Sequence, residues 1–348
     1  MSQPNIKKKN RILVVRPDRM GDVILSTPTL TALQQKFPDA EIGMMVAPYT
    51  RDVIDGHPDL DFIMIYDDNG KHQGFSGFFT LVKNLRDQTL ARFYLLHPRF
   101  RLALAAFLAG IPVRVGTSYR AYSFLFNQPV KLHRRNSGKH EAELNLQMIS
   151  SDYHMQNFDL KFHIPPWAEK RIHSLLAEHQ IKSPFVVLHP GSGGSARDWP
   201  WQRFAQLAHH IGKLQTVSVI LTGSKNEKEL IDKIQNYCDY CLYRLDGQLS
   251  IKELAALYNR AAGVVANSTG PLHLAVAVGT YVVGLYCSLP ACHPNRWGPY
   301  RRPYSVIMPE SCENYPVHES NCTEKNCMDS ISVETVLSKL MEKIEDKI

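Results

Sequence analysis

Short apolar runs alternate with segments of helical spacing along the whole chain. In the first half, Arg11–Arg16, Glu41–Ala47, Phe62–Tyr66, Phe93–His97 and Val113–Gly116 read as strands. Asp22–Phe37, Phe75–Arg86 and Arg101–Ala109 read as helices between them, and Glu141–Tyr153 carries Leu144, Met148 and Ile149 on one helical face. The second half repeats the style. Ala168–His179, Trp201–Leu214, Asn226–Asn236, Ile251–Asn259, Pro271–Val278 and Val333–Ile348 read as helices. Phe185–His189, Val217–Thr222, Gly263–Ala266 and Tyr281–Tyr286 read as strands. Buried-type strands separated by helices imply parallel β–α units. Pro165-Pro166 inside Asp159–Trp167 marks a linker. The pattern predicts an α/β protein of two doubly wound, Rossmann-like domains, residues 1–160 and 166–348, facing each other across a central cleft. Such sheets bind ligands beyond the C-terminal ends of their strands.

A length of 348 residues suits two such domains. No apolar run approaches the roughly 18 residues of a spanning helix, and Met1–Asn10 is polar and basic, unlike a secretory signal. Cytoplasmic residence is the expectation. All seven cysteines follow residue 237. An odd count without a signal peptide argues against a disulfide framework. Cys238-x-x-Cys241 has no matching second pair, and Cys312, Cys322 and Cys327 lie in a polar tail, so free thiols are expected and no metal site.

Charge changes the picture more. Residues 1–150 hold 20 Lys and Arg against 13 Asp and Glu, whereas residues 151–348 hold 20 of each. Between Gln88 and His140 stand nine basic residues and no acidic one. Such a field favours an anionic partner over a merely solubilising face.

Four strand ends carry candidate chemistry. In Val14–Pro28 the first strand turns at Pro17 and Gly21 and enters a helix near Asp22. An aspartate there is a common helix cap, and in a cleft mouth it could instead act as a base for a sugar hydroxyl. His189–Pro200, HPGSGGSARDWP, places Ser192, Gly193 and neighbouring amides after a strand, with Arg197 as a charged fork for phosphate. Its spacing fits neither G-x-G-x-x-G nor the Walker loop, which disfavours a dinucleotide dehydrogenase. Thr222-Gly223-Ser224, followed by Glu227, suits a nucleoside or ribose. Asn267–His273 brings Ser268, Thr269, Gly270, Pro271 and His273 to a helix N-terminus, where a second anion fits.

The ordered set RPDRMGDVILSTPTL (16–30), LAGIPVRVG (108–116), HPGSGGSARDWP (189–200), ILTGSKNE (220–227) and ANSTGPLHLAVAVGT (266–280) resembles glycosyltransferase family 9, the ADP-heptose:lipopolysaccharide heptosyltransferases. The resemblance implies a GT-B fold, an acceptor on the N-terminal domain and a nucleotide-sugar, with ADP-heptose the leading donor, on the C-terminal one. It implies an inverting, metal-independent transfer without a cofactor. It places the catalytic aspartate on Asp22, the phosphate-binding residue on Arg197, and the donor segment on Gly270–His273. Many members have an Asp where this chain has Ser268, which leaves the sugar contact to Ser268 or Asn267, or implies a different sugar. Arg19, Arg99, Arg101, Arg120, Lys139 and His140 become candidates to hold an anionic glycolipid or lipopolysaccharide-core acceptor. Peripheral contact with the cytoplasmic face of the inner membrane follows, through Tyr119–Phe126 if that segment is not ordinary core, and no nucleic-acid partner. A transferase with another sugar or acceptor, a nucleotide-sugar 2-epimerase and a non-catalytic nucleotide-sugar-binding protein remain as alternatives.

Overall fold

The computed structural model describes residues 10–134, 137–153, 156, 158–240, 242–289, 292–302, 305–309 and 327–344. Arg135, Cys241, Cys312 and Cys322 lie outside the described residues, as does the end of the last expected helix.

The chain divides into two compact units, residues 1–137 with 141–163, and residues 138–140 with 164–348. Each unit is built on one six-stranded, wholly parallel sheet. The first sheet holds β1 (Asn10–Val15), β2 (Ala40–Val46), β3 (Phe62–Ile65), β4 (Arg92–Leu95), β5 (Val113–Thr117) and β6 (Gln128–Val130), in the order β3-β2-β1-β4-β5-β6. The second holds β7 (Phe185–His189), β8 (Ser218–Leu221), β9 (Tyr243–Arg244), β10 (Gly263–Asn267), β11 (Val282–Leu285) and β12 (Val306–Ile307), in the order β12-β11-β10-β7-β8-β9. Numbered within its unit, each sheet runs 3-2-1-4-5-6, the doubly wound Rossmann order. The two units are those of the GT-B fold.

The helices of the first unit are α1 (Met20–Ile24), α2 (Pro28–Lys36), α3 (Arg51–Ile54), α4 (Gly74–Asp87), α5 (Phe100–Leu108) and α6 (Glu141–Gln147). Those of the second are α7 (Pro166–Glu178), α8 (Trp201–Lys213), α9 (Lys228–Tyr237), α10 (Ile251–Arg260), α11 (Gly270–Ala277), α12 (Pro294–Trp297) and α13 (Val333–Ile344).

Helices cover both sides of the central strands. Ile12 through Val15 are all fully buried, as an interior parallel strand requires. Leu13, Val15, Phe93 and Leu95 pack against Leu81 and Leu85 of α4 and Leu102, Ala105 and Ala106 of α5. In the second unit, Val186 and Leu188 join Phe204, Leu207 and Ile211 of α8 and Val336 and Leu340 of α13.

Two expected helices are corrected. The one over Glu141–Tyr153 ends at Gln147, as α6. The helix read over Asp22–Phe37 is two helices, α1 and α2, broken at Leu25–Thr27. Pro28 has no N–H for the carbonyl of Ile24, and that carbonyl accepts from the Thr27 hydroxyl at 2.8 Å instead. Ser26 donates similarly to the carbonyl of Asp22 at 2.7 Å. Asp22 is therefore not the cap. Arg19 occupies the cap position, and Asp22 is the third residue of α1, in its first turn.

Candidate functional site

The switch point of the first sheet lies between β1 and β4, where successive connections leave in opposite directions. The loops after these two strands meet there in a cluster of charges. Arg16, directly after β1, is 1% exposed. Its guanidinium pairs with Asp22, with Asp18 at 2.8 Å and with Glu141 at 2.9 Å, and donates to Asn145 Oδ1 at 3.2 Å. Burial opposes this charge, but the carboxylates of Glu141, Asp22 and Asp18 outweigh it and hold the guanidinium above its ordinary pKa.

Glu141 opens α6, Asn145 lies one turn further on, and both are fully buried. Arg134 pairs with Glu141 as well and donates to Asn145 Oδ1 at 3.0 Å and to the Leu96 carbonyl at 2.7 Å. Asn145 Nδ2 donates to the Leu25 carbonyl at 3.2 Å and to Ser26 Oγ at 3.1 Å, inside the break between α1 and α2. Asp18 is held in turn by Arg99 at 2.9 Å, and His97 lies 3.7 Å from it. Asp22 thus stands on a short helix whose end is fastened to α6 by Asn145, with its side chain held by Arg16, itself paired with Glu141 of α6. The Asp22 side chain keeps partial exposure, 20%.

The other expected anion binders of this half divide. Arg19 and Arg120 are exposed. Arg99 is committed to Asp18 and Asp68. Arg101 donates to the carbonyls of His72 and Gly74, each at 2.5 Å, so it fixes the entry to α4. Lys139 and His140 fall in the stretch that groups with the second unit, where His140 Nε2 bonds the Gly298 carbonyl at 2.9 Å and its ring packs on Tyr300.

In the second sheet the switch point lies between β7 and β10. The loop 190–200 leaves β7, and Ser268–Gly270 leave β10 beside it. Asn267, fully buried, closes the loop at both ends. Its Nδ2 donates to the Pro190 carbonyl at 2.6 Å and to Asp198 Oδ1 at 3.2 Å, and its Oδ1 accepts from the Trp199 amide at 2.9 Å. The idea that Asn267 takes over a sugar contact is thereby corrected, because its amide is used on the loop. Ser195 Oγ donates to the carbonyls of Ser192 and Ser268, at 2.8 and 3.3 Å, tying the two strand ends together. Gly193 and Gly194 have φ of +56° and +73°, a region that favours glycine.

Arg197 is half-buried, with Nη1 3.6 Å from Cys327 Sγ. Thr269 caps α11 with its backbone and makes no side-chain cap bond, and Pro271 stands in the first turn. Ser268, Thr269 and His273 are buried. Nδ1 of His273 has no hydrogen-bond partner among the described residues. Burial, aided by nearby His140, pushes the His273 pKa down to about 3.

Thr222-Gly223-Ser224 follow β8. Thr222 shares a 2.9 Å hydrogen bond with His189 Nδ1, whose ring is also 3.3 Å from the Tyr258 hydroxyl. Burial pushes the His189 pKa down to about 4 against the opposing charge of Glu227. Glu227 accepts from the Ser224 amide at 2.7 Å. It also lies against the phosphate-type loop: a Cβ at Gly191 would sit 1.8 Å from its Oε1. The loops after β7, β8 and β10 therefore converge on one edge, with backbone amides, Arg197, the carboxylates of Asp198 and Glu227, and a helix N-terminus. Such a set can hold a diphosphate joined to a polyhydroxy group.

The sequence had not pointed to Arg16, Asp18, Glu141, Asn145 or His189. Among the described residues, no group of three or more His, Cys, Asp or Glu is arranged to hold a metal ion, and no helix is long and apolar enough to cross a membrane. Cys238 is a buried free thiol, and Cys327 is buried.

Residues 78–328 match the sequence profile of glycosyltransferase family 9 (heptosyltransferase). The lipopolysaccharide core heptosyltransferase OpsX of Haemophilus influenzae is 24% identical, over 94% of this chain and 95% of that one. Among solved structures, a family 9 glycosyl transferase from Veillonella parvula superposes with a TM-score of 0.85 at 23% identity, covering 96% of this chain and 98% of its own. The ADP-heptose lps heptosyltransferase II of Escherichia coli superposes with a TM-score of 0.77 at 20% identity, covering 97% and 99%.

Proposed function

This chain belongs to glycosyltransferase family 9 and is a glycosyltransferase, and from that premise we propose that it transfers heptose from ADP-heptose to an anionic lipopolysaccharide-core acceptor. The observation that carries the reading is that each Rossmann-like unit has a site at its own switch point: a fixed carboxylate on the first and an anion cradle on the second.

In this mechanism Asp22 takes the proton of an acceptor hydroxyl. The hydroxyl oxygen attacks the anomeric carbon, the bond from that carbon to the diphosphate oxygen breaks, and configuration inverts. Charge growing on the leaving diphosphate is met by Arg197, the amides of residues 191–195 and the N-terminus of α11. These fixed positive groups are in place before reaction, so no reorganisation accompanies the charge. The transfer we propose is metal-independent and needs no cofactor. Thr222–Ser224 and Glu227 take the nucleoside end, and Ser268, Thr269 and His273 the sugar and phosphate side. Exposed Arg19 and Arg120 are the acceptor's anion partners, and the enzyme works at the cytoplasmic face of the membrane.

The test is a donor screen. Purified protein is heated with ADP-, UDP-, GDP- and dTDP-sugars, and a ligand of the native state raises the unfolding temperature. ADP-heptose is expected to raise it and to give a heptosylated core oligosaccharide. Stabilisation by another nucleotide-sugar alone contradicts the donor assignment. Binding without product from any acceptor favours an epimerase or a silent binding protein.

A further inference from the structure

The first unit carries a face of large aromatic side chains that its core does not use. On α4, Phe78, Leu81, Val82 and Leu85 are buried, yet Phe75 and Phe79 point outward, Phe75 with 86% exposure. On α5, Phe100 and Phe107 are exposed, one helical face apart by seven residues. After β5, Tyr119 and Phe124 are exposed, Phe124 at 77%.

These segments are neighbours. Arg101 of α5 donates to the Gly74 carbonyl at the start of α4, and Arg86 of α4 donates to the Leu108 carbonyl at the end of α5. The two helices therefore run side by side in the same direction. The Phe100 ring meets the edge of Tyr122 at 5.5 Å, and the Arg114 guanidinium lies 5.2 Å from the centre of the Phe107 ring. Single outward aromatics are ordinary, but a connected group of them marks an interaction surface.

Its charge says what kind. On and beside these segments stand Lys71, Lys83, Arg86, Arg101, Arg114 and Arg120, with Asp87 the only carboxylate between residues 69 and 134, while Arg99 and Arg134 are taken up by ion pairs with Asp68 and Glu141. Lys83 continues the Phe75–Phe79 stripe at the same four-residue step. A second copy packed on this face by a two-fold axis would set the same positive field against itself. An anionic bilayer meets both features, since aromatic rings enter the headgroup region while Lys and Arg attract acidic lipid.

We propose that the face formed by α4, α5 and the 119–124 segment docks on an anionic lipid bilayer. The helices α4 and α5 start just beyond the C-terminal ends of β3 and β4, the same sheet edge at which Asp22 stands after β1. A docked bilayer would then lie next to the acceptor edge, so a lipid-borne acceptor would be presented without leaving its membrane. That last step rests on the glycolipid acceptor proposed above.

The test uses the full chain with sedimenting vesicles of phosphatidylcholine alone and of equal parts phosphatidylcholine and phosphatidylglycerol. Binding is expected to the second kind only, and to weaken as salt rises. Changing Phe75, Phe79 and Phe124 together to Ser should lower that binding by roughly tenfold or more, given the apolar area withdrawn from insertion. Phe75→Trp should keep it. Unfolding temperature and transfer to a water-soluble, delipidated acceptor should be unchanged in both variants. Absence of wild-type binding, equal binding by the triple variant, or a wild-type dimer that the triple variant dissociates would overturn the proposal. Vesicle binding that persists while no delipidated acceptor is glycosylated would instead count against the acceptor reading and leave the docking face standing.

Discussion

Nη2 of Arg16 is paired with Oδ1 of Asp22, and the rest of the Arg16 guanidinium is committed to Asp18, Glu141 and Asn145. The carboxylate proposed as base is thus placed by a buried cation that α6 holds from behind. Glu141 is the centre of that arrangement, fully buried between Arg16 and Arg134. Glu141→Gln leaves two guanidinium groups without their shared counter-charge. A loss of about 3–5 kcal/mol is expected, as for other buried pairs broken on one side. Urea unfolding measures it, and a loss below about 1 kcal/mol, the worth of an exposed pair, would contradict the structural role.

Arg197→Ala should weaken the donor and slow transfer together. A charge-assisted hydrogen bond to phosphate contributes about 1.5–3 kcal/mol, so ADP affinity should fall roughly 10- to 100-fold. Titration calorimetry with ADP and with adenosine separates the parts: adenosine affinity is expected to stay. An unchanged ADP titration removes Arg197 from the phosphate site.

Gly191 is required by closeness rather than by its backbone angles. A Cβ there would meet Glu227 at 1.8 Å, and Glu227 cannot retreat without giving up the Ser224 amide at 2.7 Å. Gly191→Ala is expected to weaken donor binding by roughly tenfold, and to do less in a Glu227→Ala background, because contacting residues are not additive. Equal losses in the two backgrounds would show that the clash is not with Glu227.

His189 and His273 are held neutral, at about 4 and about 3, by burial. In the unfolded chain both titrate near 6.5. Between those values the unfolded state binds protons that the native state refuses. Their contribution is complete above about pH 6.5 and is lost as pH falls toward about 4 for His189 and about 3 for His273. Each histidine should account for about 2 kcal/mol of stability lost between pH 7 and pH 5. Urea midpoints at the two pH values, for wild type and His273→Gln, check this. A variant as acid-sensitive as wild type would mean that His273 is protonated in the native state.

Much of this was legible in the chain. The long helices and interior strands show in their periodicity, and the strand-end segments at 16–22, 189–197 and 267–273 lie at the two switch points, with 222–227 one strand further along the second sheet. The edge strands β6, β9 and β12 have two or three residues, too few to show a period. The break before α2 did have a signal, Pro28, which should have ended the first helix. The Arg16 cluster had none. Arg16 and Glu141 are 125 residues apart, and no local pattern says which returning helix brings a carboxylate under a given strand end. Asn267 looked like a ligand group because it stands among ligand-type neighbours, whereas its amide is spent on the loop.

The central claim is that Asp22 is the base of the transfer. Asp22→Asn keeps the shape of the side chain and its place beside Arg16. The direct measurement is single-turnover transfer by this variant from the donor that stabilises the wild type, with donor affinity taken on the same sample. The account predicts a rate reduced by roughly 10²–10⁴, the usual worth of a general base, with donor affinity unchanged. Turnover near that of the wild type would contradict it.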